Sequence, residues 1–328
     1  MLNVGIIGAG DFGARHALAI AELDEVQLVA SSRTNAAALA EFIRRFGGRG
    51  YTDYRELAGD PAVDAVVIAT PHHLHVGPVQ AAAAAGKAIF LEKPMAPTRA
   101  ECDALLASVE QAGVPLFLGH INRFSPAFRQ AKALLASGEA GEPVLGVSYM
   151  VKQWMEPNRR EWHLDRETGG GMLMTAGIHA LDRLIWLVDA PVISVYASLA
   201  TRYYEQKADD ASLLQLTFAN GAVGSVVSVG YNQGASIHQT QLCCTQGVLR
   251  IGYDRVEVGR GERWQSLPPP EQGEDWMHQA LINEWRAFVA AAHGESPPEV
   301  SGEDALHVMD VIFAAEESAR SRRVIAVG

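Results

Sequence analysis

Residues 2–16 read "LNVGIIGAGDFGARH": an apolar run, then Gly8, Gly10 and Gly13 in G-x-G-x-x-G spacing, then the start of a helical pattern. Gly8 permits a tight turn, Gly10 lets a pyrophosphate approach the backbone, and Gly13 lets a helix pack closely on a strand. The pyrophosphate would rest on the helix N-terminus, where free N–H groups and the helix dipole favour an anion. A glycine-rich turn by itself is weak evidence, and its plain alternative is a structural turn. Between a strand and a helix at the start of a βαβ unit, it has the context a dinucleotide site requires. Asp11 and Phe12, inside the motif, are expected at the cofactor with the three glycines.

Outward from that turn, short apolar runs alternate with helical stretches. "LNVGIIG", "VQLVAS", "AVVIAT", "AIFLEK" and "PLFLGH" read as strands, and "ARHALAIAEL", "AAALAEFIRRF", "HVGPVQAAAAAG" and "RAECDALLASVEQAG" as helices. Unbroken apolar strands separated by helices imply a parallel sheet covered on both faces. After the helical "SPAFRQAKALLASG" the texture changes. "VLGVSYMV", "VISVYASLA", "SLLQLTFANGAVGSVVSVG", "QTQLCCTQGVLRI" and "VEVG" alternate in the manner of an antiparallel sheet, with hairpin turns at "ANGA" and "TQG". Two more helices are expected near 276–293 and 303–320, after a Pro-rich surface loop, "LPPPEQGED". The fold class is α/β: a Rossmann dinucleotide-binding domain over 1–121, and over 122–328 an α/β domain with a large, mainly antiparallel open sheet.

Composition narrows the partners. A chain of 328 residues suits two domains, and 48% hydrophobic with 20% charged residues is globular. A net charge of −11 argues against nucleic acid or an acidic membrane surface. No stretch offers ~18 uninterrupted apolar residues, so no membrane span is expected. Cys102, Cys243 and Cys244 lack C-x-x-C spacing, which favours a soluble protein of the reducing, cytoplasmic compartment.

The choice of dinucleotide is made about twenty residues past the glycines, where an acid would hold the ribose 2′-OH. Here Ser32 and Arg33 stand in "LVASSRTN" with no acid nearby. A hydroxyl and a guanidinium suit a 2′-phosphate, so NADP is expected, and NAD remains the alternative if Arg33 is only a solvated surface residue. "IATPHHLH" and "IFLEKPM" end at the carboxyl edge of the sheet, where ligands bind in open α/β folds. Thr70, Pro71 and His72 would pass beneath the ribose or nicotinamide, with His75 and Glu92 also expected at the cofactor. Lys93 emerges beside a proline, either as a proton carrier or hydrogen-bond donor or as an ordinary solvated lysine.

Further on, "GGGMLMTAGIHALDRLIWLVD" (169–189) runs three glycines into an apolar helix whose Thr175, His179, Asp182 and Arg183 fall on one stripe. On pattern alone that stripe is either a solvated face or the wall of an active site. Just before it, Trp154, Trp162 and His163 form either a sugar-stacking rim or ordinary packing.

Six pieces, "GIIGAGDFGARH", "IATPHHLH", "AAAAAGKAIFLEKPMA", "NRFSPAFRQAK", "GGGMLMTAGIHALD" and "ANGAVGSV", occur in an order that resembles the Gfo/Idh/MocA oxidoreductases. The resemblance implies hydride transfer between NAD(P) and a CH–OH or C=O group, commonly on a sugar or cyclitol. It implies that Lys93 contacts substrate and nicotinamide ribose, that His179 is the acid–base, and that Arg123 lies near cofactor and substrate. It also implies a homo-oligomer, a homodimer or homotetramer, built on the C-terminal sheet. Thr175 replaces the acid usual in the helix motif, and His72 replaces an asparagine. The "SSRT" stretch resembles members that use NADP.

The substrate side is therefore expected to comprise Lys93, Arg123, Trp162, His163, Thr175 and His179. His179 would take the hydroxyl proton, since an imidazole titrates near working pH. Lys93 would stabilise the developing alkoxide, and no metal is required. The missing acid at Thr175 makes a cyclic dihydrodiol the alternative substrate. A catalytically silent dinucleotide sensor is the alternative of a different class.

Overall fold

The computed structural model describes residues 1–268 and 275–328, so most of "LPPPEQGED" lies outside the described residues. The chain divides into two compact units, Met1–His120 with Leu281–Leu306, and Ile121–Ala280 with His307–Gly328.

The first unit alternates β1 (Leu2–Ile7), α1 (Asp11–Ile20), β2 (Val26–Ser32), α2 (Ala36–Phe46), β3 (Arg49–Tyr51) and α3 (Tyr54–Ala58). It continues with β4 (Ala65–Ile68), α4 (Val76–Ala84), β5 (Ala88–Glu92), α5 (Arg99–Ala112) and β6 (Leu116–Gly119). The strands pair in parallel in the order β3-β2-β1-β4-β5-β6. β4, β5 and β6 are buried along their whole length, which is why they read as unbroken apolar runs. Helix starts follow local chemistry: the Asn35 and Thr98 side chains accept from the first turns of α2 and α5. The chain direction across the sheet reverses between β1 and β4, and that switch point is where such sheets hold ligands. β3 and α3 have no clear sequence signal; "RGY" is too short and polar to show a period.

The second unit begins with α6 (Pro126–Ala136) and β7 (Pro143–Gln153). A single π-helical turn (Leu173–Gly177) leads into α7 (Ile178–Val188). Then follow β8 (Val192–Ala200), β9 (Ala211–Phe218), β10 (Val223–Tyr231), β11 (Ile237–Cys244), β12 (Gly247–Ile251), β13 (Val256–Arg260) and β14 (Arg263–Ser266). The helices α8 (Trp276–Ala292) and α9 (Gly302–Ser321) and the short β15 (Ile325–Ala326) close the chain. The nine strands are ordered β14-β13-β12-β11-β7-β10-β9-β8-β15 and antiparallel except for the pair β7 and β10. Gly146 and Gly224 are paired across those two strands. A Cβ on either would meet Leu184 of α7, at 2.5 and 3.1 Å. The two glycines thus form a slot that seats α7 on the sheet. On the opposite face Leu145, Tyr196, Leu213 and Val223 are exposed. The stretch Arg166–Val188 is long and apolar enough to cross a membrane by composition, and most of it is buried within the protein.

Leu281–Leu306 belongs to the first unit for a packing reason. Trp285 and Phe288 join Phe90 and Phe117 in a cluster of edge-on and tilted rings with centroids 5.2–5.9 Å apart. Leu118 N donates to Val300 O at 3.1 Å. Rings of this size bury most of the apolar area a small core can gain, so a distant segment that supplies two of them joins that core.

Candidate active site

In the first unit the glycine turn has the geometry an anion needs. Gly8 sits at φ +103°, and a Cβ there would lie 2.6 Å from the Ala69 carbonyl group. A Cβ on Gly13 would lie 2.5 Å from Gly8 O, while one on Gly10 would meet nothing within 4 Å. The first and third glycines therefore keep the backbone close-packed, and the second leaves an open approach. Gly10 also caps α1 without any side-chain hydrogen bond, so a pyrophosphate fits where the helix dipole points. Asp11 and Phe12 occupy the first turn of α1. Gly8 N and Ala9 N both donate to Ser32 O at 3.0 Å, and Arg33 Nη1 donates to Ala9 O at 3.0 Å. The end of β2 is thereby locked to the phosphate turn.

At the neighbouring strand ends, Thr70 Oγ1 is buried and has no hydrogen-bond partner among the described residues. An orphaned hydroxyl beside Gly8 is what a bound ligand would satisfy. Pro71 precedes a short 3-10 turn, His72–Leu74, whose first histidine is buried. His75 is wholly buried, with Nδ1 at 3.0 Å from Pro94 O and 3.2 Å from Met95 O, and Nε2 at 3.0 Å from Thr70 O. Burial pushes its pKa down, against the upward pull of the three carbonyls and of Glu92. The ring ties the loop after β4 to the loop after β5, and half-buried Lys93 lies between Glu92 and the tied Pro94. Glu92 is buried and accepts from His16.

In the second unit the glycine run fits against a backbone turn. Gly171, at φ +100°, donates its N–H to His163 O at 2.8 Å. Met172 N donates to Asp209 O and Leu173 N to Asp209 Oδ2, each at 2.9 Å. The Asp209 carboxyl thus caps the start of the helical segment, and burial pushes its pKa up to about 7. The π turn that follows widens the helix by one residue, a feature common at functional sites. Gly177 lies where a Cβ would be 2.5 Å from Ser228 Oγ of β10.

The four polar residues of the stripe do not share one environment. Thr175, Asp182 and Arg183 are buried, and His179 is half-buried. Asp182 takes both Nε (3.0 Å) and Nη2 (2.6 Å) of buried Arg123. Arg183 donates to Ser148 Oγ at 2.9 Å, Gln239 O and Tyr253 OH at 3.3 Å, and Tyr149 O. A solvated face is therefore not what the helix presents. Asn122 Nδ2 reaches His179 O at 3.4 Å, which fixes the backbone carrying the imidazole. Trp162 stacks on His163 with centroids 3.6 Å apart, and Arg160 N donates to His163 Nδ1 at 3.0 Å. Trp154 is wholly buried and donates to Gln206 Oε1 at 2.9 Å, so packing is its role.

Several members of this arrangement escape sequence reasoning. Asp209 reads as an ordinary loop acid in "KADDAS". Asn122 and the stacked pair Tyr253–Trp276 (3.7 Å, 6°) carry no local pattern. His16 and Trp285, 269 residues apart, are joined only by folding.

Two family models match the chain: an oxidoreductase family with an NAD-binding Rossmann fold over residues 2–120, and the GFO/IDH/MocA C-terminal domain over residues 128–250. The rhizopine catabolism protein MocA of Rhizobium meliloti is 31% identical, covering 96% of this chain and 94% of its own length. The scyllo-inositol 2-dehydrogenase (NAD(+)) of Bacillus subtilis is 27% identical, covering 98% and 94%. A solved levoglucosan dehydrogenase in complex with NADH superposes with a TM-score of 0.92 at 26% identity, covering 100% and 99%. With both domain models matched in order and a 31% identical relative covered almost end to end, the chain belongs to the GFO/IDH/MocA family of NAD(P)-binding oxidoreductases.

Proposed function

We propose that the protein is a dehydrogenase or reductase acting on a CH–OH or C=O group of a sugar, cyclitol or related polyol, with NADP as the favoured dinucleotide. The observation that carries this reading is the Gly8-Gly10-Gly13 cradle at the start of α1, open only at Gly10. It stands in a chain similar over nearly its full length to a cyclitol and an anhydrosugar dehydrogenase. When bound, the nicotinamide supplies the hydride acceptor or donor. Thr70 and Pro71 contribute the floor beside the glycine turn, and Lys93, at the end of β5, supplies a positive charge for the developing alkoxide. His179, in the first turn of α7 just after the π turn and with its carbonyl reached by Asn122, takes or returns the hydroxyl proton. Trp162, backed face to face by the buried ring of His163, offers an apolar face to a ring-shaped substrate.

NADP is favoured because β2 ends at Ser32 and is followed by Arg33 rather than by an acid, so a 2′-phosphate meets a guanidinium and not a carboxylate. NAD is the second cofactor to test, since two of the relatives are named with NAD(+) or NADH. A cyclic dihydrodiol is the less supported substrate. The apolar outer face of the large sheet, with Leu145, Tyr196, Leu213 and Val223 exposed, is assigned to contact with a second copy of the chain in a homodimer or homotetramer. Three unbridged cysteines accord with a reducing, cytoplasmic compartment.

The test is a pair of variants assayed on a polyol panel. His179→Asn keeps the ring's approximate shape but cannot carry a proton at neutral pH, so kcat should fall about 10²–10⁴-fold with dinucleotide binding retained. Lys93→Met should do comparable damage. Full turnover in His179→Asn would move the acid–base role elsewhere, with His163 the first residue to examine.

A further inference from the structure

Within the first unit, three side chains from distant parts of the chain form a buried hydrogen-bonded line. Trp285 Nε1 donates to His16 Nδ1 at 3.1 Å, and His16 Nε2 lies 3.0 Å from Glu92 Oε1. His16 and Trp285 are wholly buried and Glu92 nearly so. The direction of every proton follows from chemistry. An indole N–H can only donate, so Nδ1 must hold a lone pair. The proton of the neutral imidazole is then on Nε2, where it is given to Glu92. The edges of Phe12, Phe90 and Trp285 crowd the ring at 5.1–5.7 Å between centroids, so it has no room to turn. The same oxygen, Oε1, lies over Gly119 of β6, where a Cβ would come within 2.9 Å of it.

The line therefore ends in a carboxylate held at one place, as an acceptor, one residue before Lys93 and at the carboxyl edge of the parallel sheet. We propose that Glu92, with His16 and Trp285 as its positioning residues, is a fixed negative charge that makes the site prefer the oxidised dinucleotide over the reduced one. The proposal rests on the reading that the nicotinamide binds at this strand edge beside Lys93. The physical ground is the charge difference of the two cofactor forms: the oxidised ring is cationic and the reduced ring is neutral. A carboxylate that cannot swing out to water distinguishes them by Coulomb attraction, undiminished by side-chain reorganisation. His75, whose ring also feels the Glu92 charge, is a further titratable group of the same loop pair.

The experiment measures the dissociation constants of oxidised and reduced NADP by calorimetry or protein fluorescence, with no substrate present. Glu92→Gln keeps the shape and can still accept from His16 but removes the charge. The ratio of oxidised to reduced dissociation constants should rise about tenfold. Glu92→Asp keeps the charge while loosening the packing, so it should melt lower yet leave the ratio within about twofold of wild type. A ratio unchanged in Glu92→Gln, with both forms weakened alike, would show that the triad is only structural and overturn the proposal. A ratio that moves equally in Glu92→Asp and Glu92→Gln would overturn it too, since shape rather than charge would then be responsible. If the wild-type chain bound neither form, the underlying assignment of a dinucleotide site would fail, and this inference with it.

Discussion

Replacing Arg33 by Ala removes the guanidinium that reaches from the end of β2 to the Ala9 carbonyl, and leaves the glycine turn held by Ser32 O. Hydrogen bonds to charged groups contribute about 1.5–3 kcal/mol each, so NADP should bind ten- to a hundredfold more weakly while NAD changes little. Equal loss for both dinucleotides in a fluorescence titration would refute the 2′-phosphate assignment. Arg123 presents a different case. Its bidentate pair with Asp182 is buried on both sides, so Arg123→Met deprives a buried carboxylate of its guanidinium at a cost of about 3–5 kcal/mol. Urea unfolding should show that loss as a lower midpoint with an unchanged slope. Sequence placed Arg123 and Asp182 in functional motifs but gave no sign that they meet, because 59 residues separate them.

At the scale of elements, the seat of α7 depends on two absent side chains. Gly146→Val places a branched side chain where Leu184 sits, and overpacking of this kind costs about 1–3 kcal/mol. Thermal unfolding of that variant should recover when Leu184→Ala is added, since the second change reopens the space. The start of the same helical segment supplies a pH signature. Asp209 has a folded pKa of about 7 against an ordinary 3.8, so the folded protein keeps a proton that the unfolded chain releases. Its contribution is fully present below the ordinary value, declines as pH rises towards about 7, and is constant above. Asp209→Asn can still accept from Leu173 N but has nothing to titrate. Its melting temperature relative to wild type should rise between about pH 4 and about pH 7, and a flat difference would contradict the assignment. Most β-strands and most helices were legible because burial on both faces, or on one, imposes its period on the residues, whereas β3, β14 and β15 are too short or too exposed to show one. The π turn was not, since nothing local in "LMTAG" distinguishes it from an α-helical turn.

For the whole molecule, the open face of the nine-stranded sheet leads to the assembly prediction. Sedimentation should find a species larger than 35.3 kDa at micromolar concentration. Leu213→Lys with Val223→Lys, both on exposed positions of that face, should yield the monomer with unchanged circular dichroism. A wild-type monomer would remove the sheet face from consideration as an interface.

What the sequence by itself determined is local and periodic: the phosphate turn, the parallel sheet of buried strands, the change to alternating strands after residue 143, and the placing of Lys93 and His179 on a strand end and a helix. These follow from glycine geometry and from the periods of 2 and 3.6, which need no knowledge of what lies across the core. The tertiary structure alone decided the rest. It brought Leu281–Leu306 to the first unit through Trp285 and Phe288, and it buried three of the four stripe residues. It turned His75 into a tie between two loops and aligned Trp285, His16 and Glu92. Each of these depends on which side chains meet across tens or hundreds of residues, and that is set by the packing of the whole core rather than by any local run of sequence.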